Sequence, residues 1–140
     1  YKYARRQWNL VDNKDLCYHW LGDFDREMLK TIKSVRNFQD KPVVEIWHDD
    51  GDQVLCFMRG DLVFVFNFSP TRSYTDYGFL VPTGSYEVVL NTDSKDFGGN
   101  GFADDTMTHL TNYDPLYVKD HKEWLKLYIP ARSAVVLKKV

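Results

Sequence analysis

The sequence predicts a mainly β fold, an antiparallel β-sandwich preceded by a short helical segment. Three observations predict it. Apolar residues recur at spacings of three and four up to about Asp40, and beyond it they alternate. Lys41-Pro42 falls at that switch, where a proline cannot continue a helix and holds the residue before it extended. From there on, short apolar runs of strand length are separated by turns rich in Asp, Gly and Pro, the pattern of a sandwich. The chain has 140 residues, 44% hydrophobic and 16% aromatic, which supplies a core for one domain with an appendage. We divide it into a helical part, 1–40, and an all-β part, 41–140.

In the first part, Asp12-Asn13-Lys14-Asp15 reads as the cap of a short helix, with the Asp12 carboxylate serving the free amides of the first turn. Leu16, Trp20 and Leu21 then fall on one side. A second helix is expected from near Asp23, with Phe24, Met28, Ile32 and Val35 as its apolar stripe. Asp25 and Glu27 early and Lys33 and Arg36 late suit the helix dipole. Such a stripe must bury against something, and its expected partner lies outside this chain.

In the second part, Val43 to His48 alternates, Asp49-Asp50-Gly51-Asp52 is turn chemistry, and Val54 to Met58 returns as the second arm of a hairpin. Arg59-Gly60-Asp61 turns again. Leu62-Val63-Phe64-Val65-Phe66 is apolar at every position, as a central strand covered on both faces would be. Ser85 to Leu90 forms the next strand. Asn91 to His121 reads as a long irregular stretch containing Gly98-Gly99-Asn100-Gly101. Leu125, Leu127 and Ile129 alternate with Trp124, Lys126 and Tyr128, Pro130-Ala131-Arg132-Ser133 turns, and Ala134 to Leu137 closes the fold.

Composition excludes several function classes. The net charge of −2 leaves no basic field for a phosphate backbone, so nucleic acid is not an expected partner. No apolar run approaches the roughly 20 residues that cross a bilayer, so no membrane is expected. Cys17 and Cys56 sit among apolar neighbours and read as two buried, reduced thiols of a cytoplasmic protein. His19, His48, His109 and His121 lack the close spacing of a metal site. Counted from Asp49 as an EF-hand loop, the positions that need Gly and Glu hold Val54 and Gly60, so a hairpin turn is the better account. Gly98, Gly99 and Gly101 are followed by Asp104-Asp105, which would repel phosphate; a loop needing positive φ is expected instead. No serine sits in a nucleophile elbow, and no carboxylate pair is singled out. No catalytic residue, metal or cofactor is therefore assigned.

The aromatic residues carry two readings. Pyranose rings present apolar C–H faces that stack on exposed aromatic rings. Tyr74, Tyr77 and Trp124, near Asp76 and Lys122, are the candidate substrate-binding residues on that ground. The same rings serve equally as packing in the core or against another domain.

Several motifs, in order along the chain, resemble one family. Tyr1-Lys2-Tyr3-Ala4-Arg5-Arg6-Gln7-Trp8-Asn9-Leu10 resembles the end of the catalytic domain of 1,4-α-glucan branching enzymes, the glycogen- and starch-branching type of eukaryotes. Phe24-Asp25-Arg26-Glu27-Met28 resembles that domain's last helix. Arg59 to Pro70, Ser73-Tyr74-Thr75-Asp76-Tyr77, Asp96-Phe97-Gly98-Gly99 and Tyr128 to Ala134 resemble the C-terminal domain. Family members often carry Arg where Gly78 follows the Asp-Tyr pair, and 35–48 and 102–123 carry no family pattern.

The resemblance implies an α-amylase-superfamily parent that cleaves an α-1,4 link and transfers the freed segment to a 6-hydroxyl, through a covalent glycosyl-enzyme and without a cofactor. It implies that the three carboxylates of that chemistry sit on a (β/α)8 barrel before Tyr1, so this chain, which opens without Met, is the inactive tail of a larger enzyme. Residues 1–40 would end the barrel, and residues 41–140 would be the all-β C-terminal domain docked on it. The implied partners are that barrel and, through the parent, α-glucan. The alternative is an accessory α-glucan-binding module; a free-standing enzyme of another class lacks a nucleophile, base and oxyanion donor.

Overall fold

The computed structural model describes residues 5, 7–113 and 122–140. Strands β1 (Val43–Asp49), β2 (Val54–Arg59) and β3 (Leu62–Asn67) run as consecutive antiparallel hairpins. They are followed by β4 (Tyr74–Phe79), β5 (Ser85–Asn91), β6 (Thr108–Leu110), β7 (Asn112–Tyr113), β8 (Glu123–Ile129) and β9 (Ser133–Lys139). One sheet has the order β1-β2-β3-β9-β5-β6 and the second has the order β4-β8-β7. Every pairing is antiparallel. The predicted fold class is the one observed.

Leu62 to Phe66 does form a central strand, with β2 on one side and β9 on the other. Leu62, Val63 and Val65 are buried, as an all-apolar run between two layers requires. The main core lies between the two sheets. Val63, Val65, Tyr86 and Leu137 of the large sheet meet Phe79, Leu125, Leu127 and Ile129 of the small one. The alternation of β8 is realised literally, with Leu125, Leu127 and Ile129 buried and Lys126 and Tyr128 exposed.

The helical segment differs from its prediction in two ways. A short helix α1 (Asn9–Asp12) ends where the cap was expected, and α2 (Tyr18–Lys33) is continuous from Tyr18 rather than starting near Asp23. Asp12 caps nothing; Asn13 Oδ1 instead takes the Asp15 amide at 2.9 Å, which turns the chain between the helices. The stripe also finds its partner within this chain. Phe24, Met28 and Val35 pack on Leu62, Leu90 and Val136, on the sheet face turned away from the sandwich core. Phe24 meets Phe97 edge-on at 5.4 Å. Burying a stripe of this kind is what holds a helix of modest propensity in place.

The sequence reading missed β4, β6 and β7. Tyr-Thr-Asp-Tyr-Gly-Phe carries Gly78 and Asp76, both poor strand formers. Asp76 has φ 52°, and the register with β8 shifts between Tyr74 and Tyr77. The bulge breaks the period-two signal that would have announced the strand. β6 and β7, at three and two residues, are too short to show alternation. Both cysteines are free, but only Cys56 is buried; Cys17 lies exposed at the N-cap of α2, outside both hydrophobic clusters. No helix of the described residues is long and apolar enough to cross a membrane. Tyr1 to Ala4, Arg6 and His121, used in the sequence reading, lie outside the described residues, as do positions 114–120.

Candidate functional site

Three polar arrangements stand out, and the candidate aromatics belong to the first two. At the β1–β2 turn, the Asp52 amide donates to Asp49 Oδ1 at 2.7 Å, and Gln53 takes the left-handed conformation at φ 59°. This holds the Asp52 carboxylate over β4. Tyr77 Oη donates to Asp52 Oδ2 at 3.2 Å and accepts from Trp47 Nε1 at 3.2 Å. Tyr74 Oη donates to the Asp52 carbonyl at 3.0 Å, and Arg72 reaches Asp52 Oδ1 at 3.5 Å and the Gly51 carbonyl. Burial raises the Tyr74 and Tyr77 hydroxyls above the ordinary tyrosine range, so both stay protonated donors. Their rings meet edge-on at 5.3 Å and pack against the main core. The geometry latches the hairpin turn of one sheet to the first strand of the other.

Trp124 lies apart from that latch. On β8 it points away from the core, opposite to Leu125, and its ring covers Gly78, where a Cβ would sit 3.5 Å from Cε3. Tyr77 faces the core and Gly78 the other side, so the three candidate aromatics occupy two faces of the small sheet. Trp124 Nε1 is buried without a hydrogen-bond partner among the described residues.

The third arrangement is built on Asp93, which the sequence reading passed over. Its buried carboxylate accepts from the amides of Asn100 at 3.1 Å, Phe102 at 2.6 Å and Ala103 at 3.2 Å. Gly98 and Gly101 take positive φ, 78° and 69°, as expected. At Gly99 a Cβ would stand 2.2 Å from the Asp93 carbonyl carbon, so only glycine fits. Asn91 completes the knot, its side-chain oxygen on the Asp93 amide at 2.9 Å and its nitrogen on Asp105 Oδ1 at 2.5 Å. The available signal was positional: a polar Asn-Thr-Asp ending an apolar strand, just before a glycine run.

The loop so pinned roofs a cleft of about 310 Å³ between the sheets. Val88, Leu127 and Val135 line it from the core, with Phe102, Tyr128 and His109 among its other walls. Burial lowers His109 below the usual imidazole value, so it is neutral at pH 7. The Thr106 hydroxyl and amide, at 2.6 and 2.8 Å, lower Asp104. His109 is hydrogen-bonded to no hydroxyl or thiol among the described residues, and no cluster of three or more His, Cys, Asp or Glu able to hold a metal occurs among them.

The described residues thus form a two-layer all-β domain with a helix on its outer face. The chain belongs to the family described as the alpha amylase, C-terminal all-beta domain, which matches residues 45–140. It is 40% identical over 138 residues to the 1,4-alpha-glucan-branching enzyme of Saccharomyces cerevisiae, covering 98% of this chain and 19% of that protein. Proteins of the same name from Emericella nidulans, 41% identical over 138 residues, and Dictyostelium discoideum, 40% over 141 residues, cover 96% and 99% of this chain and 20% of their own lengths. The chain thus spans about a fifth of the curated relatives it matches.

Proposed function

We propose that this chain is the C-terminal part of a 1,4-α-glucan branching enzyme and performs no bond-making itself. The observation that carries the reading is identity of about 40% along 96–99% of this chain to proteins bearing that name. In the parent, the remainder of the polypeptide cleaves an α-1,4 link and builds the α-1,6 branch. This chain supplies a folded support, and α-glucan reaches the enzyme through the parent. Residues 1–40 end the catalytic barrel and residues 41–140 form the docked all-β domain. Polar latches and a closed core fit such a role, because a support works by holding one shape. A cytoplasmic setting accords with two free thiols.

The test is an amylose-branching assay on the full-length polypeptide and on this chain. The polypeptide is expected to branch amylose and the chain to show only background. Branching by the isolated chain, or none by the whole polypeptide, overturns the proposal. Glucan contact by Tyr74, Tyr77 and Trp124 is the second reading; loss of glucan affinity in Trp124→Ala, the one of the three turned away from the core, would favour it.

A further inference from the structure

The cleft between the sheets has features that the supporting role leaves unused. Its floor of Val88, Leu127 and Val135 is apolar. Its rim is pre-shaped, because Asp93 and Asn91 fix the backbone at Phe102 and Ala103 and the carboxylate of Asp105. That rigid rim holds Phe102 66% exposed, although a large apolar ring ordinarily turns inward. His109 lines the same cleft and takes no hydrogen bond from any described residue, so a neutral imidazole is left to pair with a ligand. Asp104 and Asp105 also line it, and among the described residues no Lys or Arg does.

These features select a ligand class. Two carboxylates without a cation reject phosphates and other anions. An apolar floor, an aromatic plate and hydroxyl-directed acceptors together match a neutral pyranose, with one C–H face and many hydroxyls. A volume of about 310 Å³ is at the small end of ligand pockets, which limits the occupant to a chain end or a short stretch. We propose that this cleft is a glucan-holding site, in which the end of an α-glucan chain stacks on Phe102 and is hydrogen-bonded by His109 and the neighbouring carboxylates. The sugar's identity rests on the branching-enzyme reading; the site itself is distinct from Tyr74, Tyr77 and Trp124. It would hold glucan away from the bond being broken and so raise its local concentration.

The experiment uses the full-length polypeptide and a maltoheptaose carrying a photoreactive group. After irradiation, label is expected on peptides containing 102–109 or 128–135, suppressed by free maltoheptaose. Phe102→Ala should cut that label by about fivefold, the size of one lost aromatic stack, and Phe102→Tyr should keep it. Both replacements are at an exposed ring and leave the core intact. Absence of label from these peptides, or equal labelling of Phe102→Ala and the unaltered protein, overturns the site. Failure of the unaltered polypeptide to branch amylose would instead remove the branching-enzyme reading, and leave the labelling result standing.

Discussion

Asn67 gives the sharpest test of how the two layers are joined. It ends β3 in the large sheet, and 2% of it is exposed. Its Nδ2 donates to the carbonyls of Arg72 at 2.8 Å, Pro130 at 3.0 Å and Ile129 at 3.2 Å, while Oδ1 accepts the Ser69 amide at 3.0 Å. Ile129 belongs to β8 of the other sheet, so one amide ties both layers and the turn after β3. Asn67→Ala removes both donors and the acceptor and leaves buried backbone groups unpaired, each costing about 1–3 kcal/mol. The Pro130 carbonyl keeps the Ser133 hydroxyl at 2.6 Å, so the losses do not all add. We expect about 3–5 kcal/mol in urea denaturation, a large share of the roughly 5–15 kcal/mol of a typical domain. Asn67→Asp sharpens the point. It keeps the acceptor, cannot donate when ionised, and sets a buried carboxylate against carbonyl oxygens. Its folded-state pKa must rise above the usual value near 4. The native state then holds the proton longer than the unfolded chain, so stability is greatest in acid and falls as pH rises through that raised value. An Asn67→Ala loss under about 1 kcal/mol, or an Asn67→Asp variant whose stability matches the parent from pH 4 to 8, would refute the assignment of Asn67 as a tie.

Other outcomes follow from the same geometry. Phe79→Ala, at a fully buried ring 5.3 Å from Tyr77, should cost about 3–5 kcal/mol in chemical denaturation, whereas Phe64→Ala on the part-covered outer face should cost less. Gly99→Ala places a methyl group against the Asp93 backbone and should destabilise the chain by about 2 kcal/mol or more, with faster amide exchange at Phe102 and Ala103. Burial pushes the Cys56 thiol up to about 12, so a thiol reagent at pH 8 should modify Cys17 in the native chain and Cys56 only after unfolding. That contribution to stability is intact below about pH 9 and is lost as pH climbs toward 12, because only the unfolded thiol ionises in between.

Period and composition carried most of the fold. β3 was legible because Leu62 to Phe66 is apolar at every position, β8 because its alternation is unbroken, and the β1–β2 hairpin because the run Asp49 to Asp52 holds three aspartates and a glycine. β4 was not legible, since its bulge at Asp76 erases the period and its pairing partner lies some fifty residues on. The partner of the α2 stripe was misplaced for a related reason. A stripe announces that it will be covered, but Leu62, Leu90 and Val136, which cover it, come from β3, β5 and β9, far along the chain. The site was the least legible part. Tyr74 and Tyr77 are near neighbours in sequence and Trp124 lies far along it, yet the three fall on two faces of one sheet, and the cleft gathers Val88, His109, Leu127 and Val135 from four strands.

By itself, the sequence determined the fold class, the central strand, the turn chemistry and the family resemblance, because each of these is written in neighbouring residues through local conformational preference and burial period. Only the tertiary structure decided what Asp52, Asn67 and Asp93 do. Their roles depend on partners brought near by sheet register and layer packing, and a short polar side chain acquires a function only when folding has chosen which donors and acceptors surround it.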